Sequence, residues 1–418
     1  MPAFFRKWLL GVSTTWPNGD SCDKNRKTES VCNATGLERQ TVRNDFLMFE
    51  TSCSGGARSW TALNSRCTSF DLCAATPDLA EKVACLSRSA TYGLVDHVIR
   101  HETHMSWVFL AGNHAFKLKK PVRFPYLDFS TVSRREAACR AELILNRRLA
   151  PDVYQEVLPL VQSERGLTVG GPGTVTDWLV VMRRLDEKET LEHAIRERQL
   201  AFWQLDRLVA ALIDFYRRAH AVFLSPDVRL ARWQESLAYN RRVLLDPRLD
   251  VPAGQVRRVD RAQRLFLARR SQLIAARARG RHIVAGHGDL RPEHIWLGDP
   301  VRIIDCIEFN AGLRAVDPFD EIAFLCLECE RLGAGWAGAY LKRRFAQESR
   351  DRVGAELYAF YRCHRATLRA RLAIAHLLEA DRRTPEKWPR LARTYLRIAL
   401  SDAKHLERTL RTPGGRSG

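Results

Sequence analysis

The chain has 418 residues, more than one compact core usually holds, so two or three structural units are expected. With 45% hydrophobic and 28% charged residues its make-up is that of a globular protein, and no apolar run approaches the roughly 20 residues that cross a bilayer. Lys and Arg outnumber Asp and Glu by 67 to 48, a formal charge of +19. The arginines are spread along helical segments, however, and no zinc-finger spacing, basic heptad region or RNA-binding aromatic motif accompanies them, so no specific nucleic-acid motif is present.

Residues 1–76 are rich in Ser, Thr, Asn and Cys and lack a sustained period of 2 or 3.6. They read as disordered or as a spurious upstream extension, with a disulfide-bonded minidomain as the sharper alternative. The apolar opening is broken by Arg6 and Lys7 and no small-residue cleavage site follows, so a secretory signal is not expected. Six of the eleven cysteines (Cys22, Cys32, Cys53, Cys67, Cys73, Cys85) lie early at irregular intervals. Cys326 and Cys329 form a C-x-x-C inside an apolar run that reads as a buried helix, where cysteine serves as a small apolar residue. A cytoplasmic location suits the remainder.

Order begins near Pro77. Residues 79–86 have helical spacing and 95–100 read as a strand. Residues 107–110 and 115–118 form two more strands, joined by the Gly112-Asn113 turn into an antiparallel hairpin. A helix follows over about 133–149, with Ser133 as N-cap, Glu136 completing a capping box and Pro151 beyond its end. Apolar runs at 157–161 and 178–182 flank a Gly170-Gly171-Pro172-Gly173 turn. From Thr190 the period is helical almost throughout: 200–223, 228–245 and 259–279, then 318–332, 334–346, 355–379 and 388–411. A short strand pair around Ile283 and Ile303 interrupts these helices. Phe202, Phe215 and Tyr216 share a helical stripe with Leu205, Val209 and Leu212 and are expected in the core. The pattern predicts an α+β, bilobal protein. A small antiparallel-sheet N-lobe spans 77–185 with a hinge near 182–185, and a larger, mainly helical C-lobe spans 186–418 with a catalytic loop at 285–310.

Carboxylates and a lysine carry the chemistry. Asp289 sits in Gly286-His287-Gly288-Asp289-Leu290, where the glycines permit a tight backbone and the carboxylate can accept or orient an acceptor's hydroxyl proton. Asp305 ends a short apolar strand after Ile303-Ile304 and is poised to bind a metal. The two are joined by a segment short enough to form a hairpin that brings both to one phosphate. On the 115–118 strand, alternation puts Ala115 and Lys117 on one face, a small pocket floor beside a phosphate-binding cation. Lys119 shares that face and is the rival, whereas Lys120 faces away. Glu142 on the following helix is favoured over Glu136 as the lysine's partner. His287 is expected to brace the loop. Glu308, Asp317 and Asp320 are open as acceptor contacts, and Asp320 alternatively as the cap of the helix near Pro318.

His287-Gly288-Asp289 with Ile304-Asp305 resembles the aminoglycoside-phosphotransferase and choline-kinase-like branch of the protein-kinase-like fold. Glu102-Thr103-His104-Met105-Ser106-Trp107, Lys117-Leu118-Lys119-Lys120-Pro121, Leu127-Asp128-Phe129-Ser130 and Asp305-Cys306-Ile307-Glu308-Phe309-Asn310 are similar to an uncharacterised bacterial family. In that family such a domain is often fused to a P-loop ATPase. The resemblance runs from about residue 77 to the end. It implies ATP and Mg2+ use, transfer to a hydroxyl of a small-molecule acceptor, nucleotide contacts from Lys117, Glu142, Thr103, Ser106 and Met182, and metal contacts from Asp305 and the position of His294.

Three departures stand out. No G-x-x-x-x-G-K-[ST] occurs, so any P-loop ATPase would be a separate partner. No G-x-G-x-x-G covers the phosphates, leaving the 102–106 turn, with the hydroxyls of Thr103 and Ser106, to serve. The position five after Asp289, usually asparagine in that fold, is His294, and hard cations prefer oxygen to imidazole. A nucleotide-binding pseudokinase is therefore the alternative to an active phosphotransferase, and a kinase acting on protein is a third reading. An aminoglycoside acceptor is not favoured in an arginine-rich lobe, although Asp317, Asp320 and Glu321 supply local acidity.

Overall fold

The computed structural model describes residues 76–411 apart from Leu94, Pro125 and residues 379–384. The readings of the N-terminal extension, with Cys22, Cys32, Cys53, Cys67 and Cys73, lie outside the described residues, as does the last residue of the 355–379 helix.

The first helix, α1 (Leu79–Leu86), starts from a capping box in which Asp78 accepts the Glu81 N–H at 2.8 Å. Strands β1 (Val98–Glu102), β2 (Ser106–Ala111) and β3 (His114–Lys119) follow, then a two-residue pair, β4 (Arg123–Phe124) and β5 (Leu127–Asp128). Ala111 faces His114 across the β2–β3 ladder, so Gly112-Asn113 is the two-residue turn expected, with Gly112 at φ 56°. Helix α2 (Val132–Asn146) precedes β6 (Tyr154–Ser163), β7 (Gly166–Val169) and β8 (Thr174–Arg183). The strands form one antiparallel sheet in the order β1-β2-β3-β8-β6-β7. β7 escapes the sequence reading because Gly166-Leu167-Thr168-Val169 is too short and glycine-led to declare a period.

Thr131, not Ser133, caps α2: its Oγ1 accepts the Arg134 N–H at 3.2 Å. Ser130 donates its N–H to Asp128 Oδ1 at 3.0 Å, a local turn that starts the helix early. Glu136 consequently sits beyond the capping position and pairs with Arg140 one turn on. Asp177 of β8 fastens both helices to the sheet, accepting Lys82 of α1 at 2.9 Å and Arg135 of α2 at 2.7 Å.

The rest is mainly helical: α3 (Leu191–Arg196), α4 (Phe202–Arg218), α5 (Pro226–Leu244) and α6 (Ala253–Arg279), the last kinked at Arg270. Then come β9 (Val284–Ala285), β10 (Ile295–Trp296), β11 (Arg302–Ile303), α7 (Ala311–Arg314) and β12 (Ala315–Val316). Helices α8 (Pro318–Arg331), α9 (Gly335–Ser349), α10 (Ala355–Ala375) and α11 (Lys387–Thr409) complete the fold. Ile283 and Ile303 do not pair as expected. Val284 pairs with Val316, and Ile303 with Ile295, because two separate two-residue ladders each close one side of the 286–294 loop.

Three apolar cores divide the chain. Leu86, Phe109, Leu118, Leu160 and Leu179 pack under α1 on one face of the sheet. Ala115, Cys139, Val153, Tyr154, Val180 and Met182 pack under α2 on the other. A far larger cluster fills the helices from Leu191 to Leu410. An α+β chain of two lobes is thus what forms. Phe215 and Tyr216 are buried, but Phe202 is 56% exposed, edge-on to Trp336 and tilted against Tyr340 at the first turn of α4, where the apolar stripe has left the core. Cys326 and Cys329 are buried in α8. No described helix is long and apolar enough to cross a membrane.

Candidate active site

A cleft of about 590 Å³ lies between the sheet and the helices, lined from the sheet side by Ala115, Lys117 and Met182 and from the helical side by Asp289, His294 and Asp305. Ala115 is paired with Met182 across the β3–β8 ladder, and Met182 in turn with Tyr154. Strand alternation carries Lys117 and Lys119 to the face that α2 covers. Both bind one fully buried carboxylate: Lys117 Nζ reaches Glu142 Oε1 at 2.7 Å and Lys119 Nζ reaches Oε2 at 2.6 Å. Lys117 extends the chain of charge to Asp305 Oδ1 at 2.7 Å, and Lys119 to Glu308. Burial opposes charge on the Lys117 ammonium, but Asp305 and Glu142 outweigh it and hold the pKa well above its ordinary value. Burial raises the Glu308 carboxyl even though Lys119 acts the other way. Lys120 faces away, holding Glu102 and the Thr103 carbonyl.

The 286–294 loop is shaped by one carboxylate below it. Glu321 of α8 accepts the N–H groups of His287, at 3.0 Å, and of Gly288. A Cβ on Gly286 would stand 2.5 Å from Glu321 Oε2 and 2.4 Å from Val316, so only glycine lets the backbone approach. His287 braces the loop: Nδ1 accepts the Asp289 N–H at 3.2 Å and Nε2 donates to the Ile304 carbonyl at 2.9 Å. Burial, with His294 nearby, lowers its pKa to about 4, so the ring is neutral.

Asp289 Oδ2 lies 3.0 Å from Arg291 Nε. Burial pushes its carboxyl up, but Arg291, His294 and Arg369 outweigh that and leave it below the ordinary value. Asp305 sits in the left-handed region at φ 63°, held by its N–H donating to the Tyr154 hydroxyl at 3.2 Å. Lys117, against the effect of burial, holds its carboxyl far below the usual range. His294 stands between the two aspartates, 3.8 Å from Asp289 Oδ2 and 3.6 Å from Asp305 Oδ2.

Both ring nitrogens of His294, the position read with Asp305 as a metal contact, are engaged. The His294 Nδ1 donates to the Asp289 carbonyl at 3.0 Å, and its Nε2 receives Arg291 Nη2 at 3.0 Å, so the lone pair a cation needs faces a guanidinium. Among the described residues no group of three or more His, Cys, Asp or Glu is disposed to hold a metal ion. Thr103 and Ser106 line the cleft, but the Thr103 hydroxyl is engaged within the turn, donating to the Ser106 carbonyl and accepting the Ser106 N–H, both at 2.9 Å.

The acidity around α8 is structural. Asp317 caps α8 in place of Asp320, accepting the Phe319 N–H at 3.0 Å while pairing with Arg277 at 2.6 Å. Asp320 pairs with Arg365 at 2.8 Å, and all three carboxylates, Glu321 included, are buried. They offer no charge to a polycation. Sequence reading takes Glu321 only as acidity and misses its place under the loop, and it misses Tyr154, Arg291 and also Asn146, whose Oδ1 accepts the Cys306 N–H at 2.8 Å. Arg291 could have been found by its place beside Asp289. The other three lie in distant elements and carry no local signal.

No family model matches the chain. It is 33% identical over 324 residues to uncharacterized proteins of Mycobacterium tuberculosis and Mycobacterium bovis, a match that covers 76% of this chain. The chain spans about three fifths, 62%, of the length of these curated relatives. Its fold is similar to that of a choline/ethanolamine kinase family protein from Mesorhizobium loti (18% identity, TM-score 0.46, covering 79% of this chain and 94% of that one). It is also similar to a thermostable mutant of the aminoglycoside phosphotransferase APH(4)-Ia (13% identity, TM-score 0.46, 80% of this chain and 100% of that one). The latter protein has also been solved with AMP-PNP and hygromycin B (12% identity, TM-score 0.45, covering 79% of this chain and 98% of that one).

Proposed function

We propose that the protein is a phosphotransferase of the kinase-like type, moving a phosphoryl group from ATP to a hydroxyl of a small molecule. The observation that carries this reading is the ion-pair chain Glu142–Lys117–Asp305, each link 2.7 Å, facing Asp289 across one cleft. Lys117 takes the nucleotide phosphates and Glu142 fixes it. Ala115 and Met182 form an apolar floor for the base, and the 182–185 segment acts as the hinge. The 103–106 turn, with the Ser106 hydroxyl, covers the phosphates. In the transfer the acceptor oxygen bonds to the γ-phosphorus, the bond from that phosphorus to the bridging oxygen breaks, and ADP leaves. The hydroxyl proton passes to Asp289. Because its carboxyl is held below its ordinary value, Asp289 chiefly orients the hydroxyl and takes the proton late, as a loose transition state allows. Magnesium, which such transfers use, would meet Asp305 through oxygen, and no step above depends on it.

Asp289→Ala should lower transfer by roughly 10²–10⁴-fold while ATP binding persists. Undiminished turnover in that variant overturns the assignment. A second reading, a nucleotide-binding regulator without transferase activity, is favoured by the Arg291 guanidinium that occupies His294 Nε2. It requires ATP binding with no acceptor turned over under any condition. A cytoplasmic location is supported by six cysteines that are all free and buried among the described residues.

A further inference from the structure

One wall of the cleft is α10, which contributes Arg365, Leu368, Arg369, Arg371 and Leu372. Most of the cations here have a buried counter-ion. Arg365 is bidentate on Asp320, with both bonds at 2.8 Å. Arg369 Nε meets Glu328 at 2.9 Å, and Arg291 meets Asp289 and Glu293.

Arg371 is different. It is only 6% exposed, its Nε is buried with no hydrogen-bond partner, and among the described residues no carboxylate pairs with it. Its guanidinium lies 4.3 Å from the Tyr239 ring centroid, a contact that eases the charge but does not neutralise it. Burial, only partly offset by Tyr239 and Tyr126, lowers its pKa to about 10, far for a group that ordinarily never titrates. A buried cation without a counter-charge is costly, and native folds rarely retain one. This one borders a cleft that already holds the transfer residues. An anion bound there would complete it, as a guanidinium fork matches carboxylate and phosphate oxygens.

We infer that Arg371 binds an anionic group carried by the phosphoryl acceptor, making the acceptor an alcohol with its own carboxylate or phosphate ester. The inference deepens the phosphotransferase reading and rests on it for the word acceptor. The anion site itself stands on Arg371 alone.

The test uses the full chain and two measurements. Inorganic phosphate is titrated calorimetrically into protein saturated with AMP-PNP, which occupies the Lys117 side. The wild type should bind it, Arg371→Gln should weaken binding by roughly tenfold or more, and Arg371→Lys should retain part. Arg371→Gln should also melt no lower than wild type without ligands, since it removes an unpaired buried charge. Equal phosphate affinity in wild type and Arg371→Gln overturns the inference. Glycerol, choline, D-glycerate and glycerol 3-phosphate are then offered with ATP and the products weighed by mass spectrometry. Turnover of D-glycerate identifies the carboxylate form, and of glycerol 3-phosphate the phosphate form, in each case with KM raised in Arg371→Gln. Preferred turnover of choline or glycerol overturns the inference. Arg371-dependent phosphate binding with no acceptor turned over supports the anion site and counts against the phosphotransferase reading.

Discussion

At the scale of residues, the decisive feature is one buried carboxylate shared by two lysines. Lys119 is 1% exposed and Lys117 14% exposed at the side chain, so only Lys117 opens onto the cleft. Strand alternation puts both on the Glu142 side and cannot rank them; their depth can. Lys119→Met should leave Glu308 buried without its cation and cost about 3–5 kcal/mol, read as a lower urea midpoint. Lys117→Met should cost less stability yet lower kcat/KM by roughly 100-fold or more, because it removes the phosphate cation. If Lys119→Met abolishes turnover with stability intact, the two roles are exchanged. Asp289, Asp305, Lys117 and Glu142 could all be named from residue type and spacing. The ring of His294 could not be read, because its bond to Arg291 is settled by side-chain rotamers and not by order along the chain.

At the scale of elements, the 286–294 loop depends on its underside. Gly286 faces Glu321 and Val316, so Gly286→Ala would push the Glu321 carboxylate off the His287 and Gly288 amides. Overpacking of this kind should cost about 1–3 kcal/mol by chemical denaturation and depress turnover as Asp289 shifts. Unchanged stability with full activity would show that the loop does not rest on Glu321. Elements with a strong local period, such as the β2–β3 hairpin and α8 to α11, were legible because their turn residues and apolar faces are local properties. The cap of α2 moved from Ser133 to Thr131, since Ser and Thr cap almost equally well and a neighbouring Asp128 turn decided between them. The ladders β9–β12 and β10–β11 were not legible, for two-residue strands carry no period at all.

At the scale of the whole molecule, two lobes with separate apolar cores meet along a charged cleft. A ligand that binds the native state alone stabilises it by mass action. ATP at about 100 times its Kd should therefore add roughly 2.7 kcal/mol, seen as a rise in melting temperature that Lys117→Met abolishes. A rise that persists in Lys117→Met would place the nucleotide elsewhere. By itself the sequence determined the α+β class, the two-lobed order of strands before helices, and the carboxylates and lysine on which a transfer would depend. Those follow from periodicity and from short motifs, which are properties of neighbours in the chain. Only the tertiary structure decided which charges remain available. Asp317, Asp320 and Glu321, read as possible acidity for an acceptor, are consumed by Arg277, Arg365 and backbone amides, while among the described residues no carboxylate pairs with the buried Arg371. Charge balance in a cleft is set by groups far apart in sequence, and it exists only once the fold has brought them together.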